Sequence, residues 1–254
     1  LLMAAVATLV FCAPGYPGGA GDAQPFLDQF AKAAVATAGW PQGSLAAVYD
    51  PSEQSGLAKL GAPDAVLAFV PFPFFVQHAA ELHLTPLAQA DVVGVGPQQR
   101  WSLVAKVGGV TGPPLTAGYA ILSVAGYAPE FIRHSALSAW ALAPDVRIES
   151  TGQLLSALRR VAAGEQVIAL LDQTQAAALP TLPFAAQLKV VGQSPPLPVA
   201  IVAIVDSRLP AARAKTLQTA LLKMGHAAGG ADALAPLQLQ GFVMPEIPRP
   251  APAP

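Results

Sequence analysis

The chain has 254 residues, of which 53% are apolar and 11% are Asp, Glu, Lys or Arg, against about 25% charged in an average soluble domain. Fourteen basic and fifteen acidic residues give a formal net charge of −1. That excludes the polar, highly charged composition of a disordered chain and the basic stripe with which a nucleic-acid binder displaces counterions. The densest basic spots, Arg159-Arg160 and Arg208/Arg213, read as solvated helix faces.

The apolar content does not come from membrane spans. A spanning helix needs roughly 20 uninterrupted apolar residues. Residues 107–129 are broken by Gly108, Gly109, Gly112, Pro113, Pro114 and Gly118, and residues 65–77 by Pro71 and Pro73. Residues 1–7 read as the tail of a truncated export signal, because Ala5-Val6-Ala7 has the small-x-small form that signal peptidase accepts. The competing reading is that residues 2–12 form one long first strand. Cys12, the single cysteine, reads as a small buried hydrophobe, and it leaves the compartment undetermined because no internal disulfide is possible.

In chain order, residues 8–13 are a short apolar strand ending in the turn Pro14-Gly15-Tyr16-Pro17-Gly18-Gly19. Leu27, Phe30, Ala31, Ala34, Val35 and Ala38 then recur at helical spacing, with Pro25 in the first turn and Gly39 at the end. Residues 45–49 are a strand, 51–59 a short helix, 65–70 a buried strand and 74–82 a helix. Strands follow at 101–107 and 119–124, then a helix over 130–140 and a short extended piece at 146–149. Thr151 reads as the N-cap of a helix closed by Gly164. Residues 167–171 form an apolar strand ending at Asp172, and 173–179 a helix stopped by Pro180. Residues 188–191 and 199–205 are extended, and Pro210 and Gly225 bracket a last helix. Residues 245–254 hold five prolines and read as a disordered or extended tail.

Apolar strands alternating with helices predict parallel sheets covered on both faces. The expected class is α/β in two lobes, each a mostly parallel sheet flanked by helices. The expected boundaries are residues 8–107 with 199–244 for lobe 1 and 108–198 for lobe 2. Such sheets place ligands beyond the carboxyl ends of their strands, where helix N-termini point.

Catalytic signatures are missing: there is no Gly-Lys-Ser/Thr, no Gly-x-Ser-x-Gly and no His-Glu-x-x-His. The four histidines read as surface residues, no metal site is expected, and no cofactor is called for. The strand-to-helix loops remain. They carry Tyr16, Tyr49 and Phe72 in the first block, and Ser123, Gly126, Tyr127, Asp172 and Gln173 in the second. Each loop precedes a helix whose free N–H groups can meet a ligand.

The strings Ala13-Pro14-Gly15-Tyr16-Pro17-Gly18, residues 64–71, Trp101-Ser102-Leu103-Val104-Ala105-Lys106, residues 154–160, Ala169-Leu170-Leu171-Asp172 and Ser194-Pro195-Pro196-Leu197-Pro198 resemble a type 2 periplasmic solute-binding protein. Within that group the chain resembles the phosphate/phosphonate-type binding component of ABC transporters. The resemblance runs from about residue 8 to 243. It implies two lobes joined by two crossing strands, with 101–106 and the segment around Pro198 as hinges. It also implies a monomeric, non-enzymatic periplasmic protein that closes on a small solute in the cleft and delivers it to a membrane permease. The ligand-contacting residues expected on this basis are the eight named above.

One departure stands out. Members of the phosphonate type line the second-lobe loop with several hydroxyl residues, whereas Ser123 is followed here by Val124, Ala125 and Gly126, and no Arg or Lys falls in the candidate loops. An oxyanion would then rest on helix N-termini and backbone N–H groups. The aromatic set with Asp172 would equally suit a cationic ligand. Two rival readings use the same scaffold. One is an enzyme acting on a small aromatic or pyrimidine substrate, marked by Asp172 beside His134 or Lys106. The other is the sensing module of a larger regulator.

Overall fold

The computed structural model describes residues 6–16, 18–115 and 118–249. In chain order they form β1 (Ala7–Cys12), α1 (Ala20–Ala38), β2 (Leu45–Asp50), α2 (Glu53–Gly61), β3 (Ala65–Pro71), α3 (Phe72–His78), β4 (Thr85–Val92), β5 (Gln98–Gln99), β6 (Ser102–Lys106), β7 (Ala120–Ser123), α4 (Pro129–Phe131), β8 (Arg147–Ser150), α5 (Leu154–Ala163), β9 (Val167–Leu171), α6 (Gln173–Ala177), β10 (Leu188–Gln193), β11 (Leu197–Pro198), β12 (Ala200–Ile204), α7 (Ala211–Lys223), α8 (Gly230–Leu234) and β13 (Leu239–Val243). None of these helices is long and apolar enough to cross a membrane.

The chain divides into two compact units. It leaves the first between Gln98 and Gln99 and returns to it between Leu197 and Pro198. The first sheet has the order β13-β4-β12-β3-β1-β2 and the second β10-β6-β9-β7-β8.

In the first unit β1 runs parallel to β2 and β3, with Phe11 beside Tyr49 and Phe69. β12 is antiparallel to β3 and β4, and β13 is antiparallel to β4. Strands buried on both faces explain the unbroken apolar runs. On one face α1 presents Leu27, Phe30, Ala31, Ala34 and Val35, one stripe at i, i+3, i+4, i+7 and i+8. There Phe11 meets Phe30 and Phe69 edge-on at ring separations of 5.6 and 4.7 Å. Gly39 stops the helix in the left-handed region at φ 68°, its N–H returning to Ala36 and Val35. The second unit repeats the plan: β7 is parallel to β8 and β9, while β6 lies antiparallel between β9 and β10.

Several expectations change. Strands β4 and β13 are additions. Pro86 and Asp91 interrupt the apolar pattern of β4, and Gly241 sits inside β13, yet pairing with β12 and with each other supplies their hydrogen bonds. Ser102–Lys106, within the segment expected as a hinge, pairs on both sides inside the second sheet, and the compact units divide between Gln98 and Gln99 where the sequence suggested a division after 107. Ala7 is the first residue of β1, opposite Leu45 and buried, which moves it from the expected leader into the sheet; residues 1–5 of that reading, and Pro17 of the first loop, lie outside the described residues. In the expected tail, 245–249 carry no helix or strand, Glu246 N–H donates to Gln89 Oε1 at 3.0 Å, and 250–254 lie outside the described residues. Nor is the Arg208/Arg213 pair a solvated face. Arg208 Nη1 donates to the carbonyls of Leu60, Ala62 and Ala65, and the Arg213 guanidinium lies 4.0 Å over the Trp40 ring.

The opposite face of the first sheet is held by close approach of α2. Gly56 sits directly over Cys12: a Cβ there would collide with Cys12 Sγ and stand 3.2 Å from its Cβ. Cys12 is fully buried. Burial first, then the carboxylates of Asp50 and Glu53, push its thiol up to about 12, with Lys59 working the other way. Gly56→Ala should therefore cost about 1–3 kcal/mol by overpacking, and less on a Cys12→Ala background, where the sulfur is gone. Urea unfolding of the four proteins of that cycle measures the difference. Equal costs on both backgrounds would show that the contact is not what demands glycine.

Candidate functional site

Parallel pairing brings the carboxyl ends of β1, β2 and β3 to one edge, since Cys12 lies beside Asp50 and Phe11 beside Phe69. Tyr16 is half-buried in the loop after β1, its N–H directed to the Ala13 carbonyl at 3.4 Å. Tyr49 is not in a loop. It lies within β2, half-buried against the core, and burial, followed by Cys12 and Asp50, raises its phenol above the ordinary value. Phe72 opens α3 with its ring enclosed at 2% exposure and stacked on Phe75 at 6.2 Å. Its N–H donates to the Val199 carbonyl at 3.0 Å. Phe72 therefore shapes the edge from within the core.

Asp50 is the best-built polar group at this edge. Its Oδ1 accepts from Ser52 N–H at 2.9 Å and Ser55 Oγ at 2.7 Å, and its Oδ2 meets Lys59 Nζ at 2.8 Å. Burial alone would raise the carboxyl pKa. The Lys59 ammonium, the Ser55 hydroxyl and the Ser52 N–H together outweigh burial and hold it below the ordinary carboxylate value. The carboxylate also anchors the start of α2.

Beside it, His78 corrects the reading of all four histidines as surface groups. Its side chain is 8% exposed, with Nε2 2.7 Å from Glu53 and Nδ1 3.1 Å from Glu81. Carboxylates only accept, so a ring nitrogen meets its carboxylate by donating, and which nitrogen donates depends on the tautomer. The contact with Glu53 ties α3 to the first residue of α2.

In the second unit β7 lies between β8 and β9, so Ser123, Ser150 and the β9 end at Asp172 are neighbours along one edge. Ser123 is fully buried. Its Oγ donates to the Leu170 carbonyl at 2.8 Å and accepts from Ala125 N–H at 3.1 Å. Gly126 packs against the end of β8, where a Cβ would collide with the Glu149 carbonyl group and Ser150 N, so the loop can close only on glycine. Tyr127 follows, half-buried. The expected helix over 130–140 is in fact α4, then a π turn over Ile132–Ala136 and a 3₁₀ turn over Ser138–Trp140.

Asp172 is the N-cap of α6 and 5% exposed. Its Oδ1 accepts from Gln175 N–H at 2.7 Å while its own N–H donates to Gln175 Oε1 at 3.1 Å, a complete capping box. Gln173 N–H donates to Gln99 Oε1 at 3.3 Å, and Gln173 Oε1 accepts from Arg100 N–H at 3.4 Å. Lys106 is far from Asp172. Ser102 is the residue of β6 opposite Leu171, and four residues of strand put Lys106 about 13 Å further along. His134 pairs instead with Glu130 at 3.4 Å. Among the described residues no group of three or more His, Cys, Asp or Glu is placed to hold a metal ion.

Sequence reasoning missed Asp50, His78 and Arg100 as members of these edges. Asp50-Pro51-Ser52 does carry the signal of a carboxylate before a helix start. Larger hollows lie elsewhere. One of about 480 Å³ touches Thr85, Ile204 and Lys215 at the other end of the first sheet, and one of about 420 Å³ is lined by Arg133, His134 and Leu142. A smaller one of about 160 Å³ opens at the end of β8 beside Ser150, Thr151 and Ser156.

Two α/β sheets, each with parallel strands ending in short loops and each interrupted by an antiparallel strand, form the type 2 periplasmic-binding-protein fold. Solved structures share it. The Xanthomonas citri protein XAC2383 bound to ATP aligns over 95% of this chain and 92% of its own, with TM-score 0.68 and 13% identity. A binding-protein component of an ABC phosphonate transporter from Pseudomonas aeruginosa, PA3383, aligns over 94% and 82%, with TM-score 0.60 and 16% identity. PhnD1 from Prochlorococcus marinus in complex with methylphosphonate aligns over 94% and 93%, with TM-score 0.55 and 12% identity. At such identities the likeness establishes the fold. No curated protein sequence matches the chain. The family model for phosphonate periplasmic substrate-binding proteins of ABC transporters matches residues 115–247, just over half of the chain. The chain belongs to that family.

Because the folded-state pKa of Asp50 is depressed, its contribution is present above the unfolded value and lost as pH falls through the folded one. Asp50→Asn should lower stability at pH 7 by about 1–3 kcal/mol, discounted for the exposed Lys59 partner. The gap between the two proteins should narrow toward pH 3. Urea unfolding at both pH values tests this, and a pH-independent gap would contradict the assigned role of the charge.

Proposed function

We propose that this chain captures a small oxyanion, phosphonate- or phosphate-like, for an ABC importer, using backbone N–H groups and tyrosine rings in place of a lysine-rich pocket. The observation that carries this reading is the match to the phosphonate-binding family in a chain whose two sheets both end parallel strands in short, small-residue loops. Loops of that kind let backbone N–H groups approach an anion closely. The ligands named for two similar structures, methylphosphonate and ATP, share a tetrahedral phosphorus oxyanion.

In this proposal the solute sits between the carboxyl edge of the first unit, with Tyr16 and Tyr49, and that of the second, with Gly126, Tyr127 and Gln173. Phe72, Ser123 and Asp172 act behind them by fixing the loops. A solute that touches both edges favours a closed arrangement over an open one by the difference in its contacts. The turning points of that hinge motion are the crossings at 98–99 and 197–198. The protein works as an exported monomer in the periplasm, and the closed form is what a permease recognises.

A thermal-shift screen tests the reading with methylphosphonate, phosphate, phosphite, ATP and, as the cationic contrast, a quaternary amine. A ligand at 100 times its Kd stabilises by about 2.7 kcal/mol, a rise on the order of 5–10 °C for a chain of this size. The expected result is such a rise with at least one phosphorus oxyanion and none with the amine. A rise with the amine alone, or with nothing, would overturn it.

A further inference from the structure

An anion site without a cation is expensive, and the candidate loops hold none. The carboxylates at the two edges are already matched, Asp50 by Lys59 and Asp172 by the first turn of α6. Five other cations are committed elsewhere, Arg147 to Glu149, Arg160 to Glu165, Arg208 to Asp206, Arg133 to three carbonyls and Arg213 to Trp40, and Lys106 stands at the far end of β6 from this edge.

Arg100 differs. It stands just past the first crossing, beside the start of α6, where its N–H reaches Gln173 Oε1. Its side chain is exposed. Nη1 donates to the Ser194 carbonyl at 2.9 Å, and that carbonyl belongs to a rigid pair: Trp101 N–H donates to Ser194 Oγ at 2.9 Å, Ser194 N–H to the Trp101 carbonyl at 2.8 Å, and Ser194 is fully buried. A carbonyl orients the guanidinium without neutralising it. Among the described residues, Arg100 forms no ion pair. The rest of its fork of N–H donors is suited to two oxygens of one oxyanion.

We propose that Arg100 is a specificity-determining residue that supplies the positive charge of the solute site at the second unit's edge and selects a tetrahedral oxyanion over a neutral or cationic solute. This rests on the proposed function and adds the charge that the loops lack.

Calorimetric titration of the full chain with methylphosphonate, at low and high sodium chloride, tests it on wild type, Arg100→Gln and Arg100→Lys, with a thermal midpoint for each. Losing a charge-assisted fork should weaken binding by about ten- to a hundredfold in Arg100→Gln. Arg100→Lys, which keeps the charge and can still donate to Ser194, should fall between. Wild-type affinity should drop as salt rises. A lowered midpoint with unchanged affinity would show that Arg100 only braces Ser194, and overturn the proposal. Should Arg100→Gln not fold, wild-type affinity that is indifferent to salt and matched by Arg100→Lys overturns it as well. If wild type binds methylphosphonate and Arg100→Gln binds it equally, the Arg100 assignment alone falls. If wild type binds no phosphorus oxyanion, the proposed function falls with it.

Discussion

Parallel pairing is the constraint on which the rest depends. Because β1 runs parallel to β2 and β3, and β7 to β8 and β9, every one of these strands must return through a crossover. The loops leaving their carboxyl ends therefore gather along one edge. Sheets of this kind are covered on both faces, which is why a chain with 11% charge and 53% apolar residues folds around them. The antiparallel strands β12 and β6 are spliced into these sheets.

Those edges are built more by internal hydrogen bonding than by groups held open for a ligand. Ser123 spends its hydroxyl on Leu170 and Ala125, and Asp172 spends its carboxylate on Gln175. Asp50 is caged by Ser52, Ser55 and Lys59. Residues that look ligand-like by type are thus the fasteners that hold loops in shape. Leaving such buried groups unpaired would cost on the order of 1–3 kcal/mol each. Against a background of matched charge, a single guanidinium oriented by a carbonyl weighs heavily.

The strands with strong apolar runs, at 8–13, 65–70 and 167–171, were legible because burial on both faces leaves no other pattern. β4 and β13 were not. Pro86, Asp91 and Gly241 weaken the local signal, and partners more than a hundred residues away stabilise these strands. The turn chemistry around the site was readable at Gly126 and Asp172 as residue types. What was not readable is which way each side chain faces. Phe72 and Ser123 turn inward, His78 is drawn in by Glu53 from another helix, and Arg100 reaches the edge through a contact with Ser194, 94 residues on. Long-range partners of this kind leave no periodic trace.

Hydrogen–deuterium exchange with and without saturating methylphosphonate tests the central claim most directly, because it reads backbone N–H groups one segment at a time. A site made of loops at the carboxyl edges predicts added protection at 13–19, 49–53, 99–101, 123–130 and 172–177, with the strand interiors unchanged. Protection confined to the hollow lined by Arg133, His134 and Leu142, or to the one near Thr85 and Lys215, would contradict the account.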